Sequence, residues 1–538
     1  MGPLALTLIC VLWLISLGNW PLWSQLARLP EVSGLRGVLF GAAFAVIIGA
    51  GLMLLLALLT WRWTLKPALT VCLLAAASGA YFMHAYGVVI DRTMMVNVLQ
   101  TDSREARELM NGRMLLTVLL LGVLPAVWLW RQPVVWPRAK RLVWHNLAQM
   151  VGAVVVAVAT LLLVFQDFSS VMRNHTQMRY LINPLNGFYA LALVAVRPAD
   201  RGAGPVLPLA EDARLTPPRA GDKPPLALFV VGETARADHI GLNGYARPTT
   251  PQLAGEDVAS LRNAWSCGTN TATSVPCMFS ALGREAFDQR KSNSEGLVDA
   301  LQRAGLAVLW IDNQAGGCKG VCTRVPTVDA KTLHDSAWCD ASGECLDEVM
   351  LQGLDARIAA LPAERRARGV VVFMHQMGSH GPAYYKRSPP ALKAFTPECT
   401  TSALQQCARE QIVNAYDNTL RYTDHFLAAS INWLKRQGGH APLLVYLSDH
   451  GESLGENNVY LHGLPYRFAP DAQKHVPWIT WLSPQFQQQS GITTACLRAK
   501  ADEPVSHDNY FHSVLGLLGV QTSVYQPALD IHASCRAS

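Results

Sequence analysis

The sequence predicts two parts of different character: a set of five membrane helices, then an α/β domain built on a mainly parallel sheet. Three observations carry this reading. Long uncharged runs crowd the first third of the 538 residues, of which 50% are hydrophobic. Ten of the twelve cysteines lie beyond those runs. Short β-rich apolar runs alternate with helix-sized stretches in the second part.

A bilayer core about 30 Å thick asks for roughly 20 apolar residues of helix, and five segments approach that length, 3–23, 37–61, 67–90, 114–130 and 147–165. The first lacks a basic leader and an A-x-A site, so it is expected to stay as a span. The loop "RQPVVWPRAKR" carries Arg131, Arg138, Lys140 and Arg141 and no acid. An excess of cations marks a cytosolic loop, and Arg62 with Lys66 agrees. Five crossings then put the amino terminus inside and everything after residue 165 outside. The expected organisation is a transmembrane domain over 1–165, an interfacial helix and linker over 166–225, and a periplasmic domain over 226–538. Between spans three and four, "DRTMMVNVLQTDSREARELMN" reads as an amphipathic helix on the outer face. Residues 197–225 are rich in Pro, Gly and charge and read as the linker.

The cysteines test this topology. None has C-x-x-C spacing, and the outer ones fall in close pairs: Cys267 with Cys277, Cys318 with Cys322, Cys339 with Cys345, and Cys399 with Cys407. Four local disulfides in an oxidising compartment are expected. Cys496 and Cys535 are left open between pairing and free thiols, while Cys10 and Cys72 read as packing residues within spans. The net charge of +6 is modest. With no arginine-rich stripe it argues against nucleic acid as a partner and is compatible with anionic lipid headgroups.

In the outer part the apolar runs are "LALFVV" (226–231), "LAVLWI" (306–311), "VVVFMH" (370–375) and "PLLVYLS" (442–448). Such runs suit parallel strands covered on both faces, and ligands gather beyond the carboxyl ends of such strands. Glu233 follows the first run; His375 and His380 follow the third; Asp449, His450 and Glu452 follow the fourth, with His462 soon after. Carboxylates and imidazoles of this kind bind zinc or manganese. A lone His after a strand is ordinarily a hydrogen-bonded loop residue, and Asp-His-Gly can simply close a strand. Three strand ends delivering the same chemistry favour a metal. The stretch "CGTNTATSVPC" (267–277) fences hydroxyls between two thiols. Stapled, it would hold a hydroxyl rigidly, with Ser274 capping a helix whose first turn holds Pro276. Coordination to a metal activates a weak hydroxyl nucleophile. Spacing leaves Thr269, Thr271 and Thr273 as equal candidates.

The stretches "VVGETARADHIGLNGYARPTTPQL", "SCGTNTATSVPCMFSAL", "HQMGSHGPAYYKR" and "SDHGESLGENNVYLHGLPY" closely resemble the phosphoethanolamine transferases that modify lipid A, a family that includes the mobile colistin-resistance enzymes. The resemblance covers essentially the whole chain. It implies an alkaline-phosphatase-like α/β/α sandwich behind the five-helix domain, in a Gram-negative inner membrane. It also implies Zn2+, with one tight site and room for a second. Carried over by position, the zinc ligands are Glu233, Thr271, Asp449 and His450, and Thr271 is the nucleophile. His380 and His462 match positions that bind a second zinc or the substrate phosphate. His375 and Lys319 resemble further phosphate-site residues, and Asn97, Thr101 and Glu105 match positions that hold the donor headgroup. The implied donor is phosphatidylethanolamine and the implied acceptor lipid A, with resistance to polymyxin as the outcome; a monomer is expected. Inner-core lipopolysaccharide sugars are an alternative acceptor. The rivals are a sulfatase or phosphatase, a phosphoglycerol transferase, and a metal-binding sensor. The C/S-x-P-x-R motif of a sulfatase is missing from 267–277.

Overall fold

A computed structural model of the chain describes residues 1–30, 32–101, 103–197, 204–314, 316–333, 337–340 and 343–536. It divides into two compact units, one of Met1–Met95 with Met110–Val196, the other of Val96–Leu109 with Arg197–Ser538.

Among the described residues the first unit holds five helices long and apolar enough to cross a membrane: Pro3–Leu26, Gly34–Leu58, Leu65–Tyr86, Gly112–Arg131 and Ala139–Leu163. The fifth begins eight residues before the expected 147, because Lys140 and Arg141 sit in its first turn. Long basic side chains reach the interface from such a turn without ending the helix. At one end of this unit Lys66 Nζ donates to the carbonyls of Trp130 and Gln132 at 3.1 and 2.8 Å, and the amino terminus donates to Pro133 O at 3.0 Å. The amino terminus and the basic loop therefore share a side. Buried amides staple the helices together. Asn183 Nδ2 donates to Gly18 O and Ala76 O at 2.9 and 2.6 Å, and Asn183 N–H donates to Asn19 Oδ1 at 2.9 Å. With little water in the bilayer to take their place, these bonds satisfy groups that would otherwise be stranded.

The second unit is built on a sheet of eight strands among the described residues. In chain order its strands are β1 (Pro225–Gly232), β2 (Val258–Trp265), β3 (Ala307–Asp312), β4 (Thr327–Asp329), β5 (Val370–His375), β6 (Ala441–Ser448), β7 (His475–Leu482) and β8 (Val505–Ser506). Across the sheet they run β8-β2-β7-β6-β1-β5-β3-β4. The four apolar runs form the contiguous parallel core β6-β1-β5-β3. β7 is antiparallel to both of its neighbours, so the sheet is mixed. Alternate residues of β1 feed two separate cores. Ala227, Phe229 and Val231 pack with helices α1 (Thr271–Met278), α2 (Leu297–Arg303) and α4 (His507–Leu517). Leu226, Leu228 and Val230 pack with α3 (Arg409–Lys435). Period-2 alternation with both faces apolar makes the strands continuous hydrophobic runs, and helices on both faces complete an α/β/α sandwich.

Residues 204–225 do more than link. Leu207 bridges Ser294, and Arg214–Leu215 pairs with Val520–Gln521. All four expected disulfides are formed: Cys267 joins Cys277, Cys318 joins Cys322, Cys339 joins Cys345, and Cys399 joins Cys407. Cys277 lies within α1, so its bridge ties that helix to the loop before it. Cys407 stands just ahead of α3, and its partner Cys399 donates its N–H to the carbonyl of Gln411 in the first turn of that helix at 2.9 Å. The pair left open, Cys496 and Cys535, forms a fifth bridge. Cys10 and Cys72 are buried thiols within spans.

Candidate active site

Strand register builds the site. Val231 lies beside His375, Gly232 beside Ser448, and Asp312 beside His375, so four strand ends finish abreast. The next residues, Glu233 and the Asp449–His450 pair, leave that edge together. Thr234 follows Glu233 at φ 52°, a conformation that costs a β-branched residue energy and is held by its surroundings. Its N–H donates to Asp449 Oδ1 at 3.2 Å, and its carbonyl accepts from Tyr416 Oη at 2.7 Å. Gly378 passes so close that an added Cβ would stand 2.8 Å from the carbonyl oxygen of Glu233, and its φ of +51° also favours glycine.

The hydroxyl arrives from the segment stapled by Cys267 and Cys277. Asn270, in an extended conformation, caps α1 by accepting from Thr273 N–H at 3.0 Å. The expected cap, Ser274, is instead inside the helix, and its hydroxyl has no partner among the described residues. Asn270 holds the cap because its amide oxygen reaches the third helical N–H from an extended backbone. This earlier start makes Thr271 the first helical residue. Its Oγ1 donates to Glu233 Oε2 and Oε1 at 3.1 and 3.2 Å and lies 3.3 Å from His450 Nε2. Thr269 instead donates to the carbonyl of Leu464 at 2.6 Å. Geometry, unlike spacing, thus turns a single threonine toward the carboxylates.

Glu233, Asp449 and His450 each offer a ligand atom within 4.8 Å of the others, and all three are fully buried. His450 Nδ1 bonds the carbonyl of Gly451 at 2.9 Å, which turns Nε2 toward the carboxylates. Nε2 stands 3.4 Å from Glu233 Oε1 and 3.3 Å from Asp449 Oδ2. Asp449 Oδ2 accepts no hydrogen bond among the described residues. Burial and the Glu233 charge push the Asp449 carboxyl up to about 6. Burial works against the charge on His450, yet Asp449 and Glu233 outweigh it and raise the imidazole to about 10. Burial also opposes the Glu233 charge, but the hydrogen bond and charge of His450 hold this carboxyl well below its usual range. Two carboxylates sealed from water call for a cation. An oxygen-rich set with one imidazole and an unpartnered carboxylate oxygen fits a divalent ion such as zinc.

Around this core, His462 lies 4.3 Å from His450 ring to ring, and His380 lies 5.8 Å from His462. His375 ends β5, its Nδ1 3.4 Å from Asp312 Oδ2 and its Nε2 buried without a partner among the described residues. Lys319, at φ 51°, donates to the carbonyl of Gln100 at 3.4 Å. Thr101 Oγ1 donates to Asn97 O at 2.8 Å, within the segment that clusters with this unit. The Glu105 side chain lies outside the described residues.

Supporting residues surround these groups; the sequence points to Glu452 and leaves Gln314 and His507 unassigned. Gln314 Nε2 donates to Glu233 Oε2 at 3.1 Å. Glu452 takes His462 Nδ1 at 2.9 Å and Tyr384 Oη at 2.7 Å. His507 accepts from Cys267 N–H at 3.2 Å and reaches Ser448 O at 3.0 Å, tying the stapled loop to the end of β6. Gln314 follows a strand end, where the rule that located Glu233 could have found it. His507 carries no such local signal.

Five membrane-length helices among the described residues, a mixed α/β/α sandwich and a buried carboxylate–imidazole cluster at its strand ends go with a match of residues 225–520 to the family model described as Sulfatase, which places the chain in that broad family by fold. A second model, described as Phosphoethanolamine transferase EptA/EptB, matches residues 48–199. The chain is 40% identical to the phosphoethanolamine transferase EptA of Salmonella typhimurium, covering 100% of this chain and 97% of that one. It is 37% identical to the phosphatidylethanolamine transferase Mcr-1 of Escherichia coli, covering 97% and 95% of the two. In structure it matches the integral membrane lipooligosaccharide phosphoethanolamine transferase A of Neisseria meningitidis, with a TM-score of 0.94 and 34% identity over 100% and 99% of the chains. The chain belongs to the phosphoethanolamine transferase family and is an inner-membrane protein.

Proposed function

We propose that this chain moves phosphoethanolamine from phosphatidylethanolamine to a phosphate of lipid A through an ester on Thr271, and so confers resistance to polymyxin and related cationic peptides. One observation carries the reading: a threonine hydroxyl, at a helix start, faces the buried Glu233 carboxylate and the His450 imidazole, which cluster with Asp449. Glu233, Asp449, His450 and Thr271 would hold the zinc. Zinc bound there would act as a Lewis acid, easing ionisation of the hydroxyl and neutralising charge on phosphoryl oxygens.

The chain's own groups supply the rest. Glu233 accepts the Thr271 hydroxyl hydrogen and aims the oxygen's lone pair at phosphorus. The new Oγ–P bond forms as the bond from phosphorus to the diacylglycerol oxygen breaks, leaving a phosphoethanolamine ester on Thr271. Glu452, bonded to His462 Nδ1, leaves Nε2 to hand a proton to the departing oxygen. A lipid A phosphate oxygen then attacks the ester phosphorus, giving its own proton to His462, and as the Oγ–P bond breaks Thr271 regains its proton from Glu233. His380 and His462 would receive the phosphoryl oxygens. An added amine offsets the negative charge that draws cationic peptides.

Mass spectrometry of lipid A from cells carrying the wild type or Thr271→Ala tests this. The wild type should add phosphoethanolamine and the variant lose the addition by on the order of 10^3-fold or more while remaining folded. Equal modification in both, or in neither, would overturn the assignment. Modification of core sugars instead would correct the acceptor.

A further inference from the structure

The segment Val96–Leu109, which continues at both ends into membrane spans, clusters with the second unit. Two basic anchors hold it there. Toward its start, Lys319 donates to the carbonyl of Gln100 at 3.4 Å, from a loop closed by the Cys318–Cys322 disulfide. Toward its end, Glu108 Oε2 meets Arg387 Nη2 at 2.6 Å and Glu108 Oε1 meets Lys386 Nζ at 3.3 Å. The Arg387 and Glu108 side chains are 5% and 7% exposed. Water therefore screens this pair little, and leaving either charge alone would be costly. Arg387 spends its other donors nearby, Nη1 on Glu344 Oε2 at 3.0 Å and Nε on the carbonyl of His380 at 3.1 Å. A single planar guanidinium thus grips the backbone of His380 and the segment that carries Asn97 and Thr101. Its fixed fork of donors suits that double duty better than a lysine would.

We propose that Arg387 and Glu108 form a positioning latch that seats the segment Val96–Leu109 beside the His380 loop, and that use of a lipid donor depends on this seating. The proposal rests on reading Asn97 and Thr101 as contacts of the donor headgroup. Neither latch residue touches substrate; both act through the groups they hold. An ion pair that served stability alone would change melting and leave donor recognition untouched.

The test uses full-length protein in mixed micelles of detergent and phosphatidylethanolamine, comparing wild type with Glu108→Gln, Arg387→Gln and the double variant. Hydrogen exchange in residues 96–109 should rise in each single variant, and KM for phosphatidylethanolamine should rise about tenfold with kcat held within about twofold. The double variant should be no worse than Arg387→Gln, because either change opens the same latch. Glu108→Asp, which keeps the charge on an arm one methylene shorter, should move both readouts less and in the same direction. It serves if the other variants fail to fold. Unchanged exchange in 96–109 would overturn the latch itself, whatever the reaction. Raised exchange with KM unchanged, or a fall in kcat alone, would overturn its part in donor use. A wild-type protein that transfers nothing from phosphatidylethanolamine would instead sink the functional reading, and the exchange result would still judge the latch.

Discussion

His507 shows how much of the site depends on a residue that takes no part in the chemistry. Its two ring nitrogens bridge the stapled loop and the end of β6, which requires a neutral ring with one nitrogen donating and the other accepting. Burial lowers its pKa to about 4, helped by the nearby charge of His450 and resisted by the Ser448 carbonyl. The sign of the pH effect follows. Between about 6.5 and about 4 the unfolded chain takes up a proton that the folded ring refuses, so stability falls as pH falls through that window. His507→Gln retains a donor and an acceptor but cannot titrate. Its melting temperature should decline less steeply than that of the wild type between those pH values, as followed by thermal unfolding in detergent across a pH series. Parallel slopes would count against the strut. At this scale the sequence was legible where a chemical group directly follows an apolar run, as with Glu233, Asp449 and His450. It was silent on Asn270 and His507, whose partners lie far along the chain or depend on where a helix starts.

Among the elements, strands that are apolar on both faces announced themselves, whereas β2 and β7 did not. β2 carries Arg262 and Asn263 on partly exposed positions, and β7 contains Pro477 beside a register shift opposite β2. Both blur the pattern, and their antiparallel pairing made the sheet mixed. The helix that carries Thr271 began earlier than expected because an asparagine won the cap from a serine. In the membrane unit the expected apolar spans are joined by polar staples that hydropathy cannot show. Asn183→Ala would leave the carbonyls of Gly18 and Ala76 without these partners. The expected cost is about 1 to 3 kcal/mol, with the upper part of that range requiring that the stranded groups find no substitute. Thermal unfolding of the detergent-solubilised protein would measure it, and an unchanged midpoint would show that the staple is dispensable.

The whole molecule depends on its compartment. All ten cysteines beyond the spans are paired, and four of the five bridges, among them those of Cys277 and Cys407, close loops of fewer than a dozen residues. Each bridge is worth about 2 to 4 kcal/mol, so their joint loss exceeds the margin by which most domains stay folded. Expression in cells unable to form periplasmic disulfides should lower the steady-state amount several-fold on an immunoblot, with undiminished levels contradicting this dependence. The sequence by itself determined the two-part plan, the inward basic loop, the local cysteine pairs and the strand ends that bear carboxylate and imidazole. These follow from composition and short-range pattern, because transfer into lipid and burial on both faces of a sheet act on neighbouring residues. Only the tertiary structure decided that Thr271, and not Thr269 or Thr273, faces Glu233 and His450, that Cys496 joins Cys535, and that Glu108 reaches Arg387. Each of these choices is made by strand register and loop docking between groups 38 to 279 residues apart, and such distances leave no periodic trace in a sequence.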